Sequence, residues 1–176
     1  IYYLFTVTDN NSSTGFNVYT IDISLNGGSG QLIDENSDGV FFAELQGGSW
    51  SEKVAAVKGQ DCNTFWVVTA LNNNFYSYKI DEFGVDSSPV ISAVSKSTEK
   101  RGYLKLSPDG SKLATANMGS FGRIANSAIL YDFNNTTGAV GNNETFLIDG
   151  FGDGEAYGLE FSGNSKKLYI STVSGF

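Results

Sequence analysis

The strongest constraint on this chain is repetition. LKLSPDGSKLATAN (104–117) is echoed by LEFSGNSKKLYIST (159–172). Each copy opens on alternating apolar residues, passes through a polar turn containing Ser and Lys, and restarts on a leucine. That leucine stands seven positions after the last apolar residue, Leu106 to Leu113 and Phe161 to Leu168. A second echo runs through YTID, YKID and YDFN. Tyr19, Ile21 and Asp22 match Tyr78, Ile80 and Asp81, and then Tyr131, Phe133 and Asn134. Successive tyrosines lie 59 and 53 residues apart, and Phe161 follows Leu106 by 55. Two independent echoes with one period point to a fold that repeats a single supersecondary unit.

The intervening segments complete the unit. SEKVAAVK (51–58) takes the place of RGYLKL and AYGLEF. TFWVVTA (64–70) takes the place of KLATAN and KLYIST, with one extra residue in the preceding turn. GVFFAEL, PVISAVS and ETFLIDG occupy a fourth place after the tyrosine motif. Each full repeat thus holds four short β-type runs divided by turns. SEKVAAVK also carries helix signals, with Ser51 as an N-cap before Glu, Lys and Ala. It spans only about two helical turns before Gly59, too little to hold without packing, so its place in the repeat predicts a strand.

Four short antiparallel strands per repeat of this length predict an all-β chain, specifically a β-propeller of four-stranded blades. A lone blade leaves both faces open, and stacking blades about an axis covers them. Mid-blade strands should then be apolar on both sides, as FWVVTA and LYIST are. Residues 1–50 supply blade strands B to D, 51–98 a full blade, 99–150 another, and 151–176 strands A and B. About three and a half blades are expected, as a fragment of a larger propeller. Closing them into a four-bladed ring would duplicate strand B.

Composition agrees. Aromatics reach 14%, mostly Phe and Tyr, which suit pleated surfaces, and 21 glycines against two prolines suit tight turns. The net charge of −8 opposes binding to phosphate backbones and to anionic membranes. No apolar run reaches membrane-spanning length, so no membrane insertion is expected. The single Cys62 rules out an internal disulfide. Histidine is absent, which removes Ser-His and Cys-His catalytic pairs and histidine-based zinc sites. The chain opens on IYYLFTVT and closes on LYISTVSGF, β-type runs that read as cut from something longer.

The ordered series IDISLNGGSG, SEKVAAVKG, TFWVVTALNNNFYSYKI, GYLKLSPDGSKLATAN, LYDFNNTTGAV and YGLEFSGNSKKLYIST resembles the N-terminal propeller of large Bacteroidota surface proteins. Those proteins carry downstream immunoglobulin-like or PKD modules and end in a gliding-motility-associated domain that directs export by the type IX secretion system. The resemblance covers most of the chain and implies a secreted or cell-surface module. Two stretches depart from the family pattern: the LIDENSDG insertion and the glycine-rich GSFGRIANSA.

Candidate sites are few. DENSDG places Asp34, Asn36 and Asp38 at alternate positions before Gly39, as the first ligands of a calcium loop would be. The bidentate Glu needed at the twelfth position is replaced by Leu45, with Glu44 one place early, and a polar Asx-rich turn accounts for the same residues. DGFGDGEAYG offers Asp149, Asp153 and Glu155 in a connection between blades, either a solvated loop or a cation site. SPDG (107–110) lacks the G-x-S-x-G elbow and any histidine, and a type I turn explains it. Trp50, Trp66, Phe75, Tyr76 and Tyr78 suit either a stacking platform for carbohydrate or simple interblade packing. NNNF (72–75) reads as a hairpin turn, and Cys62 as a free thiol without a role. Asn-x-Ser/Thr sequons begin at Asn10, Asn11, Asn134, Asn135 and Asn143, which matter only in a glycosylating host.

These features favour a non-catalytic propeller module of an exported multidomain protein. It would act as scaffold, adhesin or type IX cargo, with a protein or glycan at the cell surface, or the secretion machinery itself, as partner. The alternative is a lactonase-like, metal-dependent hydrolase or lyase, with Asp149, Asp153 and Glu155 near a central channel. A cytosolic WD-like interaction hub is a third expectation, separable by whether the gene encodes an export signal.

Overall fold

The computed structural model describes residues 1–7, 15–34, 40, 42–48, 50–95, 98–119, 127–147 and 154–174. Their regular structure is antiparallel β apart from one 3-10 turn at Asn26–Gly28. Among these residues no helix is long and apolar enough to cross a membrane. The chain divides into two compact units, Ile1–Trp50 and Ser51–Phe176.

The first unit is one sheet. β1 (Tyr2–Val7) pairs with β2 (Phe16–Asp22). β2 carries two short strands on its other edge, β3 (Gln31–Leu32) at one end and β4 (Ala43–Gln46) at the other. Phe16, Val18 and Leu45 are buried, and the Phe5 ring stacks on Phe16 at 5.7 Å.

Among the described residues, the second unit holds three sheets. The first comprises β5 (Val54–Lys58), β6 (Phe65–Leu71), β7 (Asn74–Asp81), β8 (Gly84–Val85) and β9 (Val90–Ala93). The second is the meander β10 (Leu104–Leu106), β11 (Lys112–Asn117), β12 (Ser127–Phe133) and β13 (Val140–Leu147). The third is the pair β14 (Gly154–Phe161) and β15 (Leu168–Ser174). The helix signals of SEKVAAVK give way to strand β5. Its ladder with β6, from Val54 opposite Thr69 to Lys58 opposite Phe65, satisfies backbone groups that two unsupported helical turns would leave fraying.

The fourth strand of the repeat takes two forms. β13 runs the whole length of β12, with a bulge at Tyr131 and Asp132. Beside β7 the same edge is split into β8 and β9. The break holds an Asx turn, in which Ser88 N–H donates to Asp86 Oδ1 at 2.9 Å, and then Pro89, which has no N–H to give a ladder. Sequence spacing finds the strand slot but not this division.

Turn chemistry explains both echoes. Asp22, Asp81 and Asn134 each accept the N–H two residues on, from Ser24, Phe83 and Thr136, at 2.8, 2.9 and 3.0 Å. The last residue of the tyrosine motif is therefore an Asx cap that turns the chain out of the third strand. In the longer echo Ser107 and Ser162 do the same work. Each backbone N–H donates to the residue five on, Lys112 O or Lys167 O, and each Oγ accepts that lysine's N–H at 2.9 Å. Each Oγ also donates to an Asx two residues on, Asp109 or Asn164. Gly110 and Ser165 both take left-handed φ, +69° and +59°. Hydrogen bonds from Ser107 first, then from Ser111 and Ser165, hold the Asp109 carboxyl below its ordinary pKa. Because Asn164 serves in the second copy, Asp109→Asn should be nearly neutral, while Asp109→Ala should cost about 1 kcal/mol. Urea unfolding of the two variants tests the contrast.

The β10–β13 sheet is covered on both faces. On one, Leu104, Leu113, Ile129 and Tyr131 pack with Trp66, Val68, Ala70 and Phe75 of the first sheet. The Phe75 and Tyr131 rings meet edge to face at 5.0 Å. On the other, Ala114, Ala116 and Ala128 meet Ala156, Leu159 and Phe161 of β14. Each fully buried Leu or Ile contributes about 2 kcal/mol. KLATAN thus buries leucine on one side and two alanines on the other, and the small residues let the neighbouring sheet approach closely.

Candidate functional site

The first strands of the three sheets, β5, β10 and β14, are neighbours, and the charged and aromatic residues at their beginnings converge. The convergence starts from an irregular ladder. Ala116 stands opposite Tyr103 and donates its N–H to Tyr103 O at 2.9 Å. A regular antiparallel pair would return the bond. Tyr103 instead gives its N–H to Tyr157 O of the next sheet, at 2.8 Å.

Lys53 fills the gap. Its side chain is 0% exposed, and Nζ donates to Ala116 O, to Gly102 O at 2.8 Å and to Arg101 O at 3.0 Å. Three carbonyls match the three donors of an ammonium. Burial works against the charge and lowers the Lys53 pKa to about 7, while Glu52 and Glu99 act in the opposite direction. Gly102, at φ +103°, makes the approach feasible, since a Cβ there would stand 2.4 Å from Ala116 O.

Around the lysine the polar groups are paired. Glu52 N–H donates to Lys100 O, and Glu52 Oε1 accepts Gly102 N–H at 2.7 Å. Asn117 Oδ1 accepts Glu99 N–H at 3.0 Å. Thr69 Oγ1 donates to Lys53 O at 2.7 Å, and Ser51 Oγ to Ala70 O. The segment entering β10 is thereby tied to both the first and second sheets.

Next to this network lies an open groove of about 410 Å³ over β14 and β15. Tyr103, Tyr157 and Tyr169 line it, with the Tyr103 and Tyr157 ring centroids 5.4 Å apart. Tyr103 and Tyr169 are 47% and 57% exposed. Lys105 Nζ lies 2.9 Å from Glu160 Oε2 and 5.9 Å from the Tyr103 ring centre. The negative charge of Glu52 holds the Tyr157 phenol above its ordinary pKa, burial adds to the effect, and Arg101 works against it.

A β-bulge shapes the groove. Ala156 pairs with Thr172 and Gly158 with Ser171, which leaves Tyr157 as the extra residue on β14. A Cβ on Gly158 would stand 2.4 Å from Ser171 Oγ, so glycine keeps the floor low. Tyr103 and Tyr157 lie 54 residues apart, whereas the apolar anchors Leu106 and Phe161 lie 55 apart. That single-residue mismatch is the one sequence signal that could have revealed the bulge. Lys53 had no such signal, because its cage is assembled from residues 48 to 63 positions away.

The residues marked by sequence motifs contribute little here. Asp34 is half-buried beyond β3, while Asn36 and Asp38 lie outside the described residues. Glu155 stands on β14 opposite Val173, inside a strand rather than in the connection assigned to it, and Asp149 and Asp153 lie outside the described residues. Among the described residues no group of three or more Cys, Asp or Glu is placed to hold a metal ion. Trp50, Trp66, Phe75 and Tyr78 are buried and Tyr76 is half-buried, so these aromatics are packing residues and form no platform. Cys62 is a free, exposed thiol in the β5–β6 turn. NNNF makes the β6–β7 hairpin, with Asn72 at φ +55°. What the arrangement offers chemically is a stacking and hydrogen-bonding surface held by a buried polar frame. No family model matches the chain, and no curated protein matches it.

Proposed function

We propose that the chain is a non-catalytic β-propeller module of an exported surface protein and acts by binding a partner. One observation carries this: consecutive antiparallel sheets in the second unit stack face to face with their first strands side by side. Such an arrangement is what blades set about an axis require, and it supports the propeller reading. The motif resemblance to Bacteroidota surface propellers supports export, with the type IX machinery as the route. The groove beside β10 and β14 supports binding, because it offers aromatic faces and polar groups at its border.

Two measurements test the proposal. Electron microscopy of the intact gene product should give ring-shaped views with a central channel, and a flat two-sheet sandwich would refute the propeller. Protease treatment of intact source cells should release peptides of this chain, and full protection until lysis would refute surface exposure.

A further inference from the structure

We propose that the groove over β14 and β15 binds a neutral saccharide of about two sugar units. This rests on the chain being a binding module and names the glycan among its expected partners. Three features of the groove support it.

The first is aromatic surface. Tyr103 and Tyr169, each about half exposed, line the groove, with Tyr157 beside Tyr103. Tyrosine offers an apolar face with a polar tip, matched to a sugar ring whose C–H face is apolar and whose edge carries hydroxyls. The second is charge balance. Charges of both signs border the groove and offset one another: Lys105 pairs with Glu160, and Glu52 and Arg101 act on Tyr157 in opposite directions. A ligand of either sign would meet no net counter-charge there, whereas a polyol can use the exposed Glu160 carboxylate and Ser171 hydroxyl without breaking a pair. The third is the bulge. Bulges re-aim side chains at functional surfaces, and this one places Tyr157 in the lining while Gly158 leaves the floor clear. The chain spends an additional residue at this point relative to the matching strand β10, and the groove is the feature that residue creates.

The test is saturation-transfer NMR with the whole chain against a panel of neutral disaccharides, a uronate-containing disaccharide and a lysine-rich peptide. At least one neutral disaccharide should bind, with a dissociation constant on the order of a millimolar, and should outcompete the charged ligands. Tyr169→Ala, at an exposed position, should weaken it about tenfold, and Glu160→Gln, which keeps the shape, should weaken it less. Circular dichroism melts of both variants establish that the fold is kept. Tyr169→Phe, which keeps the ring and loses only the hydroxyl, should bind nearly as well as the parent. Three results would overturn the proposal: no transfer from any neutral disaccharide, preference for a charged ligand, or neutral binding that Tyr169→Ala leaves unchanged. Failure here with positive protease release from cells would reject the saccharide alone and keep the surface module.

Discussion

Replacing Lys53 by methionine is expected to lower the unfolding free energy by about 3 kcal/mol at pH 9, measured by urea denaturation. Methionine keeps most of the side-chain volume and removes the donor. Gly102 O and Ala116 O then lose the amine that meets them in a buried setting, and a stranded buried carbonyl costs about 1–3 kcal/mol. The pH dependence carries a definite sign. Burial sets the native pKa of Lys53 at about 7, against 10.5 in the open chain. Between those values the unfolded chain holds a proton that the native protein has released, so stability rises with pH. The contribution is complete above about 10.5 and is lost as pH falls to about 7. From pH 7 to pH 9 the parent protein should gain about 2 kcal/mol, and Lys53→Met should lack that gain. The gap between the two should narrow toward pH 6, because only the parent bears the cost of a buried ammonium. A parent whose stability is flat or falling from pH 7 to pH 9, relative to the variant, would mean that the carbonyl cage favours the charge more than burial opposes it.

Gly138→Ala should be comparably damaging, at about 3 kcal/mol. Gly138 has φ +76°, where an L side chain is strained, and its added Cβ would stand 2.5 Å from the Trp66 ring. Trp66 cannot easily yield, because its Nε1–H donates to Asn135 O at 2.9 Å and its ring is packed in the core between the sheets. Strain and overpacking therefore add. Two comparisons separate them in thermal and urea unfolding. Trp66→Phe in the Gly138→Ala background should recover part of the loss by removing the crowding. Ala at Gly27, where φ is +65° and a Cβ would meet nothing within 4 Å, should cost only the backbone share, about 1–2 kcal/mol. Equal losses at both glycines would show that the contact with Trp66 adds nothing.

These residues also mark how far the sequence could be read. Gly138 is visible beforehand as a turn glycine in NTTGAV, but the ring that forbids a side chain comes from 72 residues earlier in the chain. Tyr103 and Tyr157 are visible as matched positions of the repeat, yet their meeting in the groove lining depends on Tyr103 giving its N–H to the neighbouring sheet rather than to Ala116. Lys53 looks like any surface lysine before a strand. The aromatic residues with the strongest sequence claim to a platform, Trp66, Phe75 and Tyr78, are packed inside, while the exposed Tyr169 lies in a run that suggests only a strand.

The amino-acid order alone determined whatever depends on local chemistry and period. It set the all-β class, the antiparallel hairpins and the recurrence of the strand pattern. It also set the Asx and serine turns that make the two echoes recur. Each rests on neighbours a few residues apart, where alternation and turn propensity act directly. Only the tertiary structure decided which faces meet, that a lysine would complete a broken ladder, that one outer strand would split at Pro89, and that a one-residue bulge would open a groove. Those outcomes rest on the geometry of separate sheets brought together, and the pairing of donors and acceptors across such a junction is set by distances that no local pattern encodes.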